Sequence, residues 1–97
     1  MRFEWDENKN QSNRAKHGLS FETALLVFDD PFALSEQDRF ENGEERWSTI
    51  GLVDAVLLVF VAHTYRFDAE LQEESFRIIS ARRATREEVK RYENPYR

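Results

Sequence analysis

The chain has 97 residues and no cysteine, which excludes disulfides, thiolate catalysis and cysteine-built zinc sites; its two histidines, His17 and His63, are too few to suggest a metal centre, so no cofactor is expected. A composition of 40% hydrophobic and 13% aromatic residues, with three Gly and two Pro, excludes wholesale disorder and fits one domain over residues 1–97, with a core modest enough for a permanent partner to help it. The net charge of −5 argues against broad attraction to polynucleotide, but residues 77–97 carry seven Lys/Arg against three Asp/Glu, a basic end on an acidic body that fits local phosphate binding.

Along the chain, Met1–Trp5 alternates Phe3 and Trp5 with Arg2 and Glu4, a short strand signal. Asp6 can cap a polar helix over Glu7–His17, with Gly18 as its stop. Ser20 can cap a second helix whose apolar face is Phe21, Ala24, Leu25 and Phe28, ended by Asp29-Asp30-Pro31. Residues Phe32–Asn42 fit either a short strand or irregular structure, and Gly43 marks a turn. Arg46–Ile50 alternates as a strand, and Gly51–Asp54 reads as a turn. Val56–Arg66 is a nearly unbroken β-branched and aromatic run, the signature of a central strand. Phe67–Glu74 reads as an acidic connection, and Ser75–Ala81 as a strand with Phe76 and Ile78 on one face and Arg77 and Ile79 on the other. Thr85 and Glu88 form a capping box for a last helix over Arg86–Glu93, ended by Pro95. These elements predict an α+β sandwich: two N-terminal helices and a C-terminal helix on one face of a mainly antiparallel sheet of four to five strands. The other face would be partly open to a substrate.

Three blocks of residues carry a family resemblance that covers nearly the whole chain. They are Trp5-Asp6, Lys9, Asn13, Lys16-His17-Gly18 and Phe21; then Asp30-Pro31, Glu44-Glu45-Arg46-Trp47 and Ile50-Gly51; then Thr64, Arg66, Arg77-Ile78-Ile79-Ser80-Ala81-Arg82, Ala84 and Tyr92. In this order and spacing the chain resembles the BrnT family of type II toxin–antitoxin toxins. It departs from the family pattern at Glu7, where proline is frequent, and in a longer connection between Arg66 and Arg77. The resemblance implies a RelE-like fold, metal-independent RNA cleavage that inhibits translation, and neutralisation by a cognate DNA-binding antitoxin. A toxin–antitoxin hetero-oligomer would then reach operator DNA through the antitoxin and repress its own operon.

Metal-free RNA cleavage uses the ribose 2′-hydroxyl as nucleophile, so it needs a proton acceptor and cationic donors for the developing charge on phosphorus. Arginine suits the second role because its planar fork holds two phosphate oxygens. Arg46, Arg66, Arg77, Arg82 and Arg83 fall at strand positions or ends, and Arg82 and Arg83 precede the last helix, where helix amides could join them on a phosphate. Glu44, Glu45 and His63 are the candidates for proton transfer, and the imidazole starts with the better-matched pKa. The predicted catalytic set is Arg46, Glu45, His63, Arg66, Arg77 and Arg82. Blander readings apply to each: Arg82 neutralised by Glu87 or Glu88, His63 a satisfied core histidine, the aromatics core. A non-catalytic RelE-like subunit in an operon-repressing complex, or a plain protein-interaction domain, remains the alternative.

The longest apolar run, Ala55–Ala62, is far short of a membrane span, and MRFEWDENK has no apolar signal region, so a cytoplasmic location is expected. Two acidic stretches, Glu36–Glu45 and Asp68–Glu74, read either as solvated loops or as docking points for a basic segment of the partner.

Overall fold

The computed structural model describes residues 1–96. Its elements in chain order are β1 (Arg2–Glu4), α1 (Glu7–His17), α2 (Phe21–Ala24), a 3-10 helix (Leu25–Asp29), β2 (Leu34–Glu41), β3 (Glu44–Val53), β4 (Leu57–Asp68), β5 (Glu73–Arg83) and α3 (Arg86–Glu93). The five strands form one sheet in the order β1-β5-β4-β3-β2. β2 to β5 make an antiparallel meander, but β1 runs parallel to β5, so the sheet is mixed rather than wholly antiparallel.

Helix ends follow the predicted chemistry. The Asp6 carboxylate accepts from the Asn8 and Lys9 amides, and Gly18 closes α1 in the left-handed region. Thr85 and Glu88 form the capping box of α3. The second helix tightens after one turn into the 3-10 segment, which lies directly on β3. A side-chain carbon built on Gly51 would sit 2.7 Å from the Val27 Cβ and 2.7 Å from its carbonyl oxygen. Gly51 is therefore not the turn predicted from sequence; it lets a helix backbone touch a strand, and β3 continues through it to Val53. The turn is at Asp54-Ala55, both at positive φ, and Asn42-Gly43 turns between β2 and β3. The acidic connection is also shorter than predicted, because β4 runs to Asp68 and β5 begins at Glu73.

Strand alternation divides the sheet into two faces. Thr49, Val53, Val59, Val61, Ile78 and Ala81 belong to the first face, which is covered by α1, α2 and the 3-10 helix through Leu19, Phe21, Ala24 and Val27. α3 crosses to the second face over β3, where Ile50 is 1% exposed. The helices thus flank both faces instead of one, because the chain leaves β5 at the sheet end and the short Ala84-Thr85 link turns it over the edge, with the Ala84 amide donating to the Leu58 carbonyl.

α1 is held by amides more than by apolar surface. Asn13 donates to the Leu19 and Ala81 carbonyls and accepts from the Ala81 amide, so it closes the β5 edge as a neighbouring strand would. Asn10 accepts from the Phe21 amide and donates to Glu22.

Replacing Gly51 with Ala forces the 3-10 backbone off β3. The expected loss is about 1–3 kcal/mol of stability, read as a lowered urea midpoint with an unchanged slope. An unchanged midpoint would mean that this contact does not constrain the fold.

Candidate active site

On the second face, beyond the reach of α3, register pairs place side chains in rows across the strands. Arg39, Arg46 and Thr64 face one another on β2, β3 and β4, and the Arg77 amide of β5 donates to the Thr64 hydroxyl. In the next row Glu41 pairs with Glu44, and Arg66 with Ser75. Arg77 grips Glu44 with both guanidinium nitrogens, at 3.0 and 2.8 Å. The hydrogen bond from Arg77 is the chief reason that the Glu44 carboxyl lies below the usual glutamate range; burial opposes it, and the charges of Arg77, Arg46 and Arg66 add to it. Arg39 is tied to Asp38 and Glu41. Among the described residues, neither Arg46 nor Arg66 has a carboxylate within ion-pair distance, and the buried Nε of Arg46 has no hydrogen-bond partner. Three guanidinium groups therefore surround one carboxylate on an open sheet face. Such a set can hold a phosphate and offer one weak base beside it.

Arg82 lies elsewhere. It pairs with Phe60, six residues along β4 from Arg66, roughly 20 Å at strand rise. Its guanidinium stacks 4.2 Å over the Phe60 ring and donates to both oxygens of Glu88, at 2.7 and 3.0 Å. Glu88 is 7% exposed and also accepts from the Thr85 amide. Its burial works to raise its pKa, but the hydrogen bonds from Arg82 and Thr85 outweigh this and leave it lowered. The start of α3 is thus filled by the chain's own carboxylate, the neutralising arrangement rather than an empty phosphate cradle. Tyr92, one helix turn further, donates to Asp30 at 2.6 Å; burial and then that bond push its phenol up to about 12. Arg83 is exposed opposite Val59, on the first face.

Glu45 and His63 also belong to the first face, so the structure separates them from Arg46, Arg66 and Arg77. The cause is strand alternation: Glu45 pairs with Tyr65, and His63 with Trp47 and Ile78. His63 is 2% exposed, and both ring nitrogens are engaged. Nδ1 faces the Thr64 carbonyl, which can only accept, so Nδ1 carries the proton. Nε2 then accepts from the Thr49 hydroxyl, which in turn bonds to Ser35. Burial lowers the His63 pKa, against the opposing pull of the Thr64 carbonyl. This is a neutral, satisfied core histidine.

Residues 5–88 match the family model described as the ribonuclease toxin, BrnT, of type II toxin–antitoxin systems. The chain belongs to the BrnT family. It is also similar to the crystal structure of the Brucella abortus ribonuclease toxin BrnT, at 26% identity and a TM-score of 0.66, over 89% of this chain and 99% of that one. No curated protein sequence matches it. The BrnT assignment makes the chain a toxin of a ribonuclease family, with an antitoxin as the implied partner.

Within this BrnT chain, two members of the arginine rows escaped the catalytic set predicted from sequence. Glu44 was weighed there beside Glu45; its shared parity with Arg46 was the signal that separates them, since residues two apart on a strand share a face. Arg39 carried no signal, because Phe32–Asn42 had no settled period and a register shift between Gln37 and Arg39 resets the alternation. No group of three His, Cys, Asp or Glu that could hold a metal occurs among the described residues.

The folded state holds His63 neutral below its ordinary pKa, so the unfolded chain takes up a proton first as pH falls through about 6.5. The urea midpoint should therefore fall between pH 7 and 5, and the slope should flatten in His63→Gln. Equal slopes would place the titrating group elsewhere. Glu88 contributes stability that is complete above the ordinary glutamate value of about 4.3 and is lost as pH drops through its lowered folded value. Glu88→Gln should lose stability at pH 7 and converge on wild type in acid; a constant offset at all pH values would contradict the Arg82–Glu88 account.

Proposed function

We propose that this BrnT protein is a metal-independent endoribonuclease whose scissile phosphate binds among Arg46, Arg66 and Arg77. The observation that supports this most directly is the set of three guanidinium groups on the open second face, already holding an anionic group in the Glu44 carboxylate. RNA phosphate carries the same charge and the same two-oxygen geometry as that carboxylate, so it can take its place on Arg77. Glu44, released from Arg77, recovers basicity beside the nucleotide. It accepts the proton as the 2′-oxygen attacks phosphorus; the bond to the 5′-oxygen breaks, that oxygen takes a proton from water, and Glu44 returns its proton to solvent. Arg46 and Arg66, which have no carboxylate within ion-pair distance among the described residues, stabilise the developing negative charge. The products are a 2′,3′-cyclic phosphate and a 5′-hydroxyl. Arg82 serves as the strut that seats α3, and Glu45 and His63 take no part in the chemistry. In the cell the toxin acts in the cytoplasm and slows translation, and a DNA-binding antitoxin neutralises it and carries the complex to its operator.

Purified protein with a chelator present should cut a generic RNA and leave a cyclic phosphate end. Arg66→Ala is the cleanest variant, because Arg66 is exposed and free of ion pairs among the described residues. It and Arg77→Ala should each lower the rate by about 10²–10³ while thermal stability stays near wild type. Wild-type rates in both would remove the site. A protein that binds RNA through these arginines yet never cuts it would support the non-catalytic subunit reading.

A further inference from the structure

The same strands that carry the arginine rows carry a second, chemically opposite surface on their other side. α1, α2 and the 3-10 helix cover only part of the first face. Beyond them Phe40, Trp47, Tyr65 and Phe67 share that face by strand parity, with Glu45 opposite Tyr65 and Glu74 opposite Phe67. Phe40 is 68% exposed and Phe67 50%, so this is an uncovered aromatic patch and not a core in disguise. The Trp47 and Tyr65 rings meet edge to face at 6.3 Å, and Tyr65 in turn meets Phe76 edge to face; Phe76 contacts the partly buried rings of Phe3 and Phe28. A depression of about 350 Å³ opens there, lined by Ser35, Trp47, His63, Tyr65, Glu74 and Phe76.

The charges held against the Trp47 and Tyr65 rings are both negative. The Trp47 indole donates to Glu45 at 3.2 Å, and the Tyr65 hydroxyl donates to Glu74 at 3.2 Å. Among the described residues each carboxylate keeps one oxygen without a hydrogen-bond partner beside an aromatic ring. By strand parity Arg39, Arg46 and Arg77 lie on the opposite face, His63 is neutral, and Arg66 borders the patch only at its outer end, beside Phe40 and Phe67. Aromatic faces with carboxylates at their edge suit an ammonium or guanidinium group, which gains from both. A phosphate would meet only carboxylates and ring faces. A second copy docked patch to patch would bring four carboxylates together, in a chain already at −5.

We propose that the Phe40–Trp47–Tyr65–Phe67 patch, with Glu45 and Glu74, is a docking surface for a basic amphipathic segment of another protein. Aliphatic side chains of that segment lie on the rings, and a Lys or Arg enters between Trp47, Tyr65 and the two carboxylates. The inference does not depend on the RNA reading, because Trp47, Tyr65 and Glu74 lie on the sheet face opposite Arg46 and Arg77.

The test uses the intact protein labelled with 15N and two probes: a short amphipathic Lys/Leu peptide and its Glu/Leu counterpart. The Lys/Leu peptide should shift the Trp47 indole resonance, assigned with Trp47→Phe, and salt should weaken its binding. Trp47→Leu and Glu74→Gln should each reduce affinity by about tenfold, as expected for an aromatic or ionic anchor, with RNA cleavage at the wild-type rate. Absence of binding, equal binding of the acidic peptide, or shifts confined to other surfaces would overturn the proposal. So would concentration-dependent self-association lost in Trp47→Leu, which would make a second copy the occupant.

Discussion

A mismatch in length governs this molecule. β4 has 12 residues, about 40 Å at strand rise, whereas the longest helix, α1, has 11 residues and spans about 16 Å. No helix among the described residues can cover the sheet from end to end. The covered half holds the apolar core of Val27, Val53, Val59, Val61 and Ile78, and the other half leaves both faces accessible. The arginine rows and the aromatic patch lie back to back on this projecting half. Because it is an extension of paired strands and not a loop, its side chains are held at fixed spacing without a core of their own.

How the helices are attached follows from the same economy of apolar surface. α1 has almost no apolar face and is docked by Asn13, whose partners are the Leu19 and Ala81 backbone groups, and by Asn10, which accepts from the Phe21 amide and donates to the Glu22 carboxylate. α3 rests on Arg82–Glu88, Arg91–Glu36 and Tyr92–Asp30. The buried Glu88 carboxylate needs its donors, since breaking one partner leaves a charge uncompensated. Asp30 joins three elements: it accepts from the Leu52 and Phe32 amides as well as Tyr92, so the end of the 3-10 helix, β3 and α3 share one carboxylate.

Strand periodicity makes two opposite chemistries out of one stretch of chain. Glu44-Glu45-Arg46-Trp47 sends Glu44 and Arg46 to one side and Glu45 and Trp47 to the other; Tyr65 and Arg66 divide in the same way. The internal ion pair of Arg77 with Glu44 keeps the cationic side from being a bare positive surface.

Much was legible in the residues themselves. The caps at Asp6, Gly18 and Thr85, the bounds of α1 and α3, the central strand and the family blocks all depend on local chemistry, which a sequence displays directly. Gly51 misled because glycine serves both turns and close approaches, and only the position of Val27 decides between them. The direction of β1 and the face taken by α3 rest on long-range pairing, which no local pattern carries. The arginines were correctly seen as a strand-borne set, yet their division into a row around Glu44 and a strut on Glu88 required the register. The ordinary pKa of histidine makes His63 a candidate base in sequence; burial and two fixed hydrogen bonds, both products of tertiary structure, make it a neutral core residue. Sequence by itself determined which groups could ionise and which strands could bear them. Tertiary structure decided which groups meet, because a one-residue change of register exchanges every side chain between the two faces of the sheet.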